Sequence, residues 1–167
     1  MTETYRLIRP GDFEDLSRIA QDWEVVRQLG GWRWPYDADQ IRDRSRPYEG
    51  CGFVWAICVD DRLVGTVGIT KGSLGYVLRR DLQRRGIVTR AVHAALETAF
   101  ADPKLGAIAA TTWHDNLGSH KILIRLGFTH WQTRYEHALA RGLPTLSRHY
   151  RLTRAAWDAL ETPRALA

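Results

Sequence analysis

Apolar side chains fall at Val88, Ala91, Val92, Ala95, Leu96, Ala99 and Phe100, a spacing that draws one stripe down a helix. Two stretches upstream, GFVWAICV and LVGTVGIT, are instead β-branched and aromatic runs on either side of Asp60, Asp61 and Arg62, the pattern of a hairpin. SLGYVL at 73–78 predicts a third strand of the same meander, with Gly75 as a bulge or a point of close backbone approach. Toward the N-terminus, residues 5–9 (YRLIR) predict a strand and 12–22 a helix, with Asp12 as N-cap and Asp15 as its capping-box partner. WEVVRQLG predicts a second short helix leading into the aromatic loop GWRWPY, and Asp37 with Gln40 opens a helix to about Arg46. Beyond the stripe come a strand AIAATTW, a helix over 118–126 closed by Gly127, strands over 128–136 and 145–152 around an ARGLP turn, and a tail helix capped by Thr153. This order predicts an α/β domain with a mixed, mostly antiparallel sheet flanked by helices, its ligand in the central strand–loop–helix–strand unit.

No repeat, low-complexity tract or linker divides the 167 residues, so a single domain over 1–167 is expected. The start, MTETYRLIRPGDFEDL, lacks a basic-then-apolar signal segment, and no apolar run approaches the ~20 residues that cross a bilayer, so a cytoplasmic protein without a membrane partner is expected. Cys51 and Cys58 have no paired metal spacing, the six histidines are scattered, and no metal is expected. The net charge of +5 is carried almost wholly by arginine. It fits an anionic partner such as a polyphosphate, and equally a coding preference for arginine. Nucleic acid is disfavoured, because the arginines are dispersed and no RNP, KH or helix-turn-helix pattern is present.

Charge becomes informative in one place. LQRRGIVTRAVHAAL puts Arg84, Arg85 and Gly86 just where the striped helix begins. The first amides of a helix lack intrahelical partners and carry partial positive charge, so such a start suits phosphate. The loop is neither a Walker loop nor a dinucleotide fingerprint, and an ordinary arginine-rich loop remains the alternative.

The segment GYVLRRDLQRRGIVTRAVHAAL resembles the acyl-CoA-binding motif of the GNAT acetyltransferase superfamily, Q/R-x-x-G-x-G/A: Gln83 and Gly86 match, and Val88 departs at the last small position. HDNLGSHKILIRLGF resembles that superfamily's N-x-x-S/A signature followed by L-G-F. WEVVRQLGGWRWPYDADQI resembles the branch that acetylates ribosomal-protein N-termini (RimJ/RimL-type), which also includes small-amine acetyltransferases. The resemblance implies the GNAT fold, acetyl-CoA as co-substrate, and pantetheine lying like an added strand along Tyr76, Val77 and Leu78. It implies backbone hydrogen bonds from Val77 and Leu78, contact by Gln83, and amides of Arg84, Arg85, Gly86, Ile87, Val88 and Thr89 on the pyrophosphate. Arg84 stands where the branch often has glycine, and Arg90 where it often has glutamate.

Aminolysis of a thioester needs a neutral amine, a donor for the developing oxyanion and a proton or hydrogen bond for the departing thiolate. The resemblance assigns Asn116 to orienting cofactor or substrate and Ser119 to the sulfur; both are also good helix N-caps. The Leu78 amide is the expected oxyanion donor. Leu123 occupies the position of the superfamily's usual tyrosine acid, and Ser73 that of an acidic residue common in the branch. Glu24, His114, Glu136 and His137 are left as possible bases, with none assigned. Trp23, Trp32 and Trp34 are expected on the acceptor side, as packing residues or as an aromatic wall for a cationic amine. The expected activity is direct transfer of acetyl to a primary amine, on a protein N-terminus or a small molecule, by a monomer or homodimer. The alternative is a non-catalytic acyl-CoA-binding module.

Overall fold

The computed structural model describes residues 2–165, with side chains as far as Leu160. Strand β1 (Glu3–Leu7) pairs antiparallel with β2 (Gly52–Val59), β2 with β3 (Arg62–Thr70), and β3 with β4 (Ser73–Leu78). Both hairpins close on two residues with positive φ: Asp60 (48°) and Asp61 (64°), then Lys71 (50°) and Gly72 (74°). That geometry matches the right-handed twist of the strands it joins, and it pins Val59 opposite Arg62 and Thr70 opposite Ser73. Gly75 sits in regular register opposite Gly68, and a methyl group on it would meet nothing within 4 Å. The bulge or close approach expected there is absent.

The helices α1 (Phe13–Ala20), α2 (Trp23–Val26) and α3 (Ala38–Arg44) lie between β1 and β2 in the chain; α4 (Ile87–Phe100) follows β4. Then come β5 (Ala107–Trp113), α5 (Leu117–Arg125), β6 (Thr129–Ala138), β7 (Leu143–Thr153) and α6 (Arg154–Ala165). The sheet order is β1-β2-β3-β4-β5-β7-β6, all neighbours antiparallel except β4 and β5. Alternate strand residues feed two cores. Ile57, Val67, Leu74, Leu78 and Tyr150 meet the α4 stripe of Ile87, Ala91, Val92, Ala95, Leu96 and Phe100. Ala56, Cys58, Leu63 and Val77 meet Leu16, Ile19, Val26 and Ile41 on the opposite face. The stripe sits slightly N-terminal of the expected one: Ile87 is fully buried, whereas Val88 and Ala99 are half-buried.

Caps explain most helix boundaries. Asp22 accepts from the Glu24 amide, Asp37 from that of Gln40 and Thr153 from that of Ala156. The expected Asp12–Asp15 capping box does not form. Asp12 is buried, takes two hydrogen bonds from the Arg6 guanidinium (2.6 and 2.8 Å) and accepts the Arg9 amide, while Asp15 pairs with Arg62 and Arg18. A guanidinium fork outcompetes a neutral amide for a carboxylate. Among the described residues no helix is long and apolar enough to cross a membrane.

Candidate active site

The parallel pairing of β4 with β5 lasts only from Ser73 opposite Ala109 to Leu74 opposite Ala110; beyond it the strands part. The hydrogen-bond parity of β4 decides what faces the gap. Arg79 donates to the Val64 carbonyl, so in the antiparallel ladder Val77 is bonded to Thr66, and Tyr76 and Leu78 turn their amides and carbonyls away from β3. Ala109 donating to the Gly72 carbonyl agrees with this phase from the other side. The backbone role expected of Val77 therefore does not fit, because its polar groups are spent on β3; Tyr76 takes its place beside Leu78. The Leu78 carbonyl accepts from Gln83 Nε2 at 3.1 Å, which leaves the Leu78 amide as the free donor.

From Leu78 the chain passes a short turn and enters α4 through Gly86, whose φ is 76°. The first intrahelical bond into this cap is made by the Arg90 amide, so the amides of Ile87, Val88 and Thr89 have no helix partner. No side chain caps this end and the first turn holds no acid, so neither a cap nor a first-turn carboxylate neutralises it. A cavity of about 400 Å³ lies against it, lined by Tyr76, Val77, Leu78, Gln83, Arg84, Gly86, Ile87, Val88, Thr89, Asn116 and Ser119. Arg85 is not in that lining; its guanidinium reaches back to the Asp81 carbonyl. Arg90, where the branch often has glutamate, is tied to Glu3 of β1 at 2.7 Å, with its Nη1 beside Gly86 and the Arg85 carbonyl.

Arg84 has φ of 65°, a left-handed conformation that glycine adopts without a clash and arginine does not. Its residue type departs from the resembled motif while its backbone keeps a glycine-like shape. Arg84→Gly is expected to stabilise the fold by about 0.5–1 kcal/mol in urea unfolding, strain relief outweighing the added freedom of the unfolded chain.

Across the cavity, Asn116 caps α5 by accepting the Ser119 amide at 3.1 Å. The cap consumes its carbonyl oxygen and leaves its amide donors for the cavity. In the sequence Tyr76 belongs to the strand along which the resemblance lays pantetheine; in the fold its side-chain hydroxyl is a further candidate. The hydroxyl is buried without a formed hydrogen bond, and burial pushes its pKa up to about 12 against a smaller opposing pull from the neighbouring Ser119 hydroxyl. An unpartnered buried hydroxyl is costly, and the cost is recovered when a ligand atom arrives. Strand parity and the G-Y dipeptide could have flagged it; its burial could not be read from the chain. Leu123, the position of the usual acid, is fully buried in the α4-side core.

Of the four possible bases only Glu24 lines the cavity. His114 and His137 are exposed, and Glu136 on β6 pairs with Arg134 and faces His149. The tryptophans behave unevenly. Trp23 and Trp34 pack on each other with ring centres 5.2 Å apart, whereas Trp32 is buried with the Arg44 guanidinium over its ring at 5.0 Å. The cation on the aromatic wall is the protein's own.

A sheet parted between two parallel strands, beside an uncapped helix start, defines an α/β protein built to receive an extended, phosphate-bearing ligand. The chain belongs to the acetyltransferase (GNAT) domain family, whose sequence model matches residues 4–129. It is 40% identical over 77 residues to "Probable N-acetyltransferase YjcK" of Bacillus subtilis, a match spanning 41% of this chain and 42% of that relative. Against "Putative ribosomal N-acetyltransferase YdaF" of the same organism it is 24% identical, over 93% of both chains. A spermidine N-acetyltransferase from Vibrio cholerae, solved with CoA and spermine, superposes with a TM-score of 0.77 at 12% identity, covering 93% of this chain and 97% of that one. RimL, a ribosomal α-N-protein acetyltransferase solved with CoA, superposes at 0.76 with 16% identity, covering 93% and 96%. These likenesses carry the fold.

Proposed function

We propose that the protein transfers an acetyl group from acetyl-CoA to a primary amine by direct attack within one ternary complex. The observation that carries this reading is the free Leu78 amide in the β4–β5 gap, continuous with the uncapped start of α4. The residues fit the co-substrate. Tyr76 offers strand-like hydrogen bonds to the pantetheine arm, and Ile87, Val88 and Thr89 offer their amides to a diphosphate across a glycine that brings the backbone close. When bound, acetyl-CoA supplies the activated thioester.

The protein's own groups do the rest. The Leu78 amide holds negative charge that develops on the acyl oxygen. Ser119 donates the proton that the departing thiolate takes up, the Tyr76 hydroxyl is a second hydrogen-bond donor beside it, and Asn116 orients the reactants from the same rim. Glu24, at the mouth, is the carboxylate placed to accept a proton through water. Direct attack is favoured over an acyl-cysteine route because Cys51 and Cys58 both lie outside the cavity lining, on β2 or just before it. We place the protein in the cytoplasm, where acetyl-CoA is available.

Titration calorimetry with coenzyme A, followed by thiol release from acetyl-CoA across small amines and N-terminal peptides, tests this reading. Binding and amine-dependent release are expected. No heat with coenzyme A would remove the transferase, and tight binding without release to any amine would leave the binding module.

A further inference from the structure

A second cavity, of about 310 Å³, shares Tyr76, Asn116 and Ser119 with the first and runs to the acceptor side between β4 and the α2–α3 loop. Arg44 at the end of α3 is the only charged side chain in its lining. The same residue lines a larger opening, of about 900 Å³, so it stands where that outer mouth meets the inner chamber.

Arg44 is not used up by the fold. Its guanidinium makes one hydrogen bond, from Nη2 to the Gly31 carbonyl at 2.6 Å, and lies over Trp32. Its Nε is buried with no hydrogen-bond partner, and no carboxylate lies within 4 Å among the described residues. Neighbouring arginines contrast with it: Arg33 pairs with Asp37, Arg42 with Asp39 and Arg46 with Asp43. Those aspartates rim the wide mouth but are already neutralised, and Glu49, also in that rim, is exposed and outside the inner chamber. Burial alone pushes the Arg44 pKa down, with no anion opposing it. A half-buried guanidinium whose Nε is shut off from water without a partner or a counter-ion carries a desolvation cost, and its fork matches a carboxylate in two hydrogen bonds.

We infer that the acceptor carries a carboxylate as well as its amine, the carboxylate seated on Arg44 and the amine extending to the Tyr76–Ser119 end of the same chamber. This rests on the transferase reading. It names the acceptor class as amino acids or short peptides with an acidic side chain near their N-terminus. Polycations are disfavoured, because the inner chamber holds a fixed positive charge and no acid.

The test uses matched pairs: free amino acids against their amides, and N-terminal tetrapeptides with Asp or Glu at the second position against Asn or Gln. In thiol-release assays the acidic member of at least one pair is expected to have a kcat/KM about 30-fold or more above its neutral partner, chiefly through KM. The first set reports an α-carboxylate, the second a side-chain one. Arg44→Gln should collapse the ratio to near one, and Arg44→Lys should restore part of it; coenzyme A affinity of the same variants reports an intact fold. Calorimetry with N-acetylated amino acids and their amides, in the presence of coenzyme A, reads the same preference without turnover. Equal or better use of the neutral members, or an unchanged ratio in Arg44→Gln, would overturn the carboxylate anchor while leaving the transferase standing. Acid-selective binding without turnover of any amine would do the reverse.

Discussion

Ser119→Ala is expected to lower kcat about 100-fold while coenzyme A affinity moves by less than about threefold. The asymmetry follows from how the residue is held. The Ser119 amide is committed to the Asn116 cap and the backbone of α5 does not depend on the hydroxyl, so the substitution removes an oxygen and little else. Tyr76→Phe should cost about 10-fold in kcat, and it leaves the β4 backbone donors in place. The two hydroxyls are neighbours, so the double variant should lose less than the product of the single losses. A pKa near 12 keeps Tyr76 protonated throughout the range in which an amine becomes neutral, so its donor role should not limit activity below that value. A Ser119→Ala enzyme with unchanged kcat would take the serine out of the reaction and leave Tyr76 as the donor.

What the chain discloses and what it hides divide along physical lines. Strand and helix order is local and periodic, so all seven strands lie near their expected positions, and the Gly86 helix start is legible from charge and glycine alone. Backbone direction is not. A one-residue change of parity moves the gap-facing backbone groups from Val77 to Tyr76, and hydropathy carries no sign of it because both residues bury apolar surface. Partner choice across long sequence separations is hidden as well. Asp12 reads as a helix cap until β1 brings Arg6 to it, and Trp32 stands open between packing and a wall for a substrate cation until Arg44 is found over its ring. Glu136 and His137 lie close in sequence to the second motif, yet β6 carries them to the sheet edge next to β7. Local capping rules fail at Asp12 and hold at Asp22, Asp37 and Asn116, where no arginine fork reaches the capping oxygen.

Asp12→Ala is expected to destabilise the fold by about 2–4 kcal/mol, measured by urea unfolding. The carboxylate side chain is 3% exposed and that of Arg6 is 27% exposed, so removal leaves a guanidinium partly shielded from water and frees the Arg9 amide as well. Burial pushes the Asp12 carboxyl up, but the hydrogen bonds from Arg6 and from the Arg9 backbone together outweigh it, and the net shift is downward. A carboxyl lowered on folding contributes stability that is fully present above its unfolded value of 3.8 and is lost as pH falls through the lower folded one. The wild-type protein should therefore lose stability as pH drops below about 4. The Asp12→Ala variant, lacking this group, should show a shallower fall; Asp15 and Asp115, also lowered by arginine partners, keep some slope in both. The pair fastens β1 to the turn that aims α1 into the Val77-side core, beneath the strand that carries Tyr76 and Leu78. Parallel acid unfolding curves for the two proteins would mean that Arg6 and Asp12 are no more than a solvent-screened surface pair, and that apolar packing alone holds α1 against the sheet.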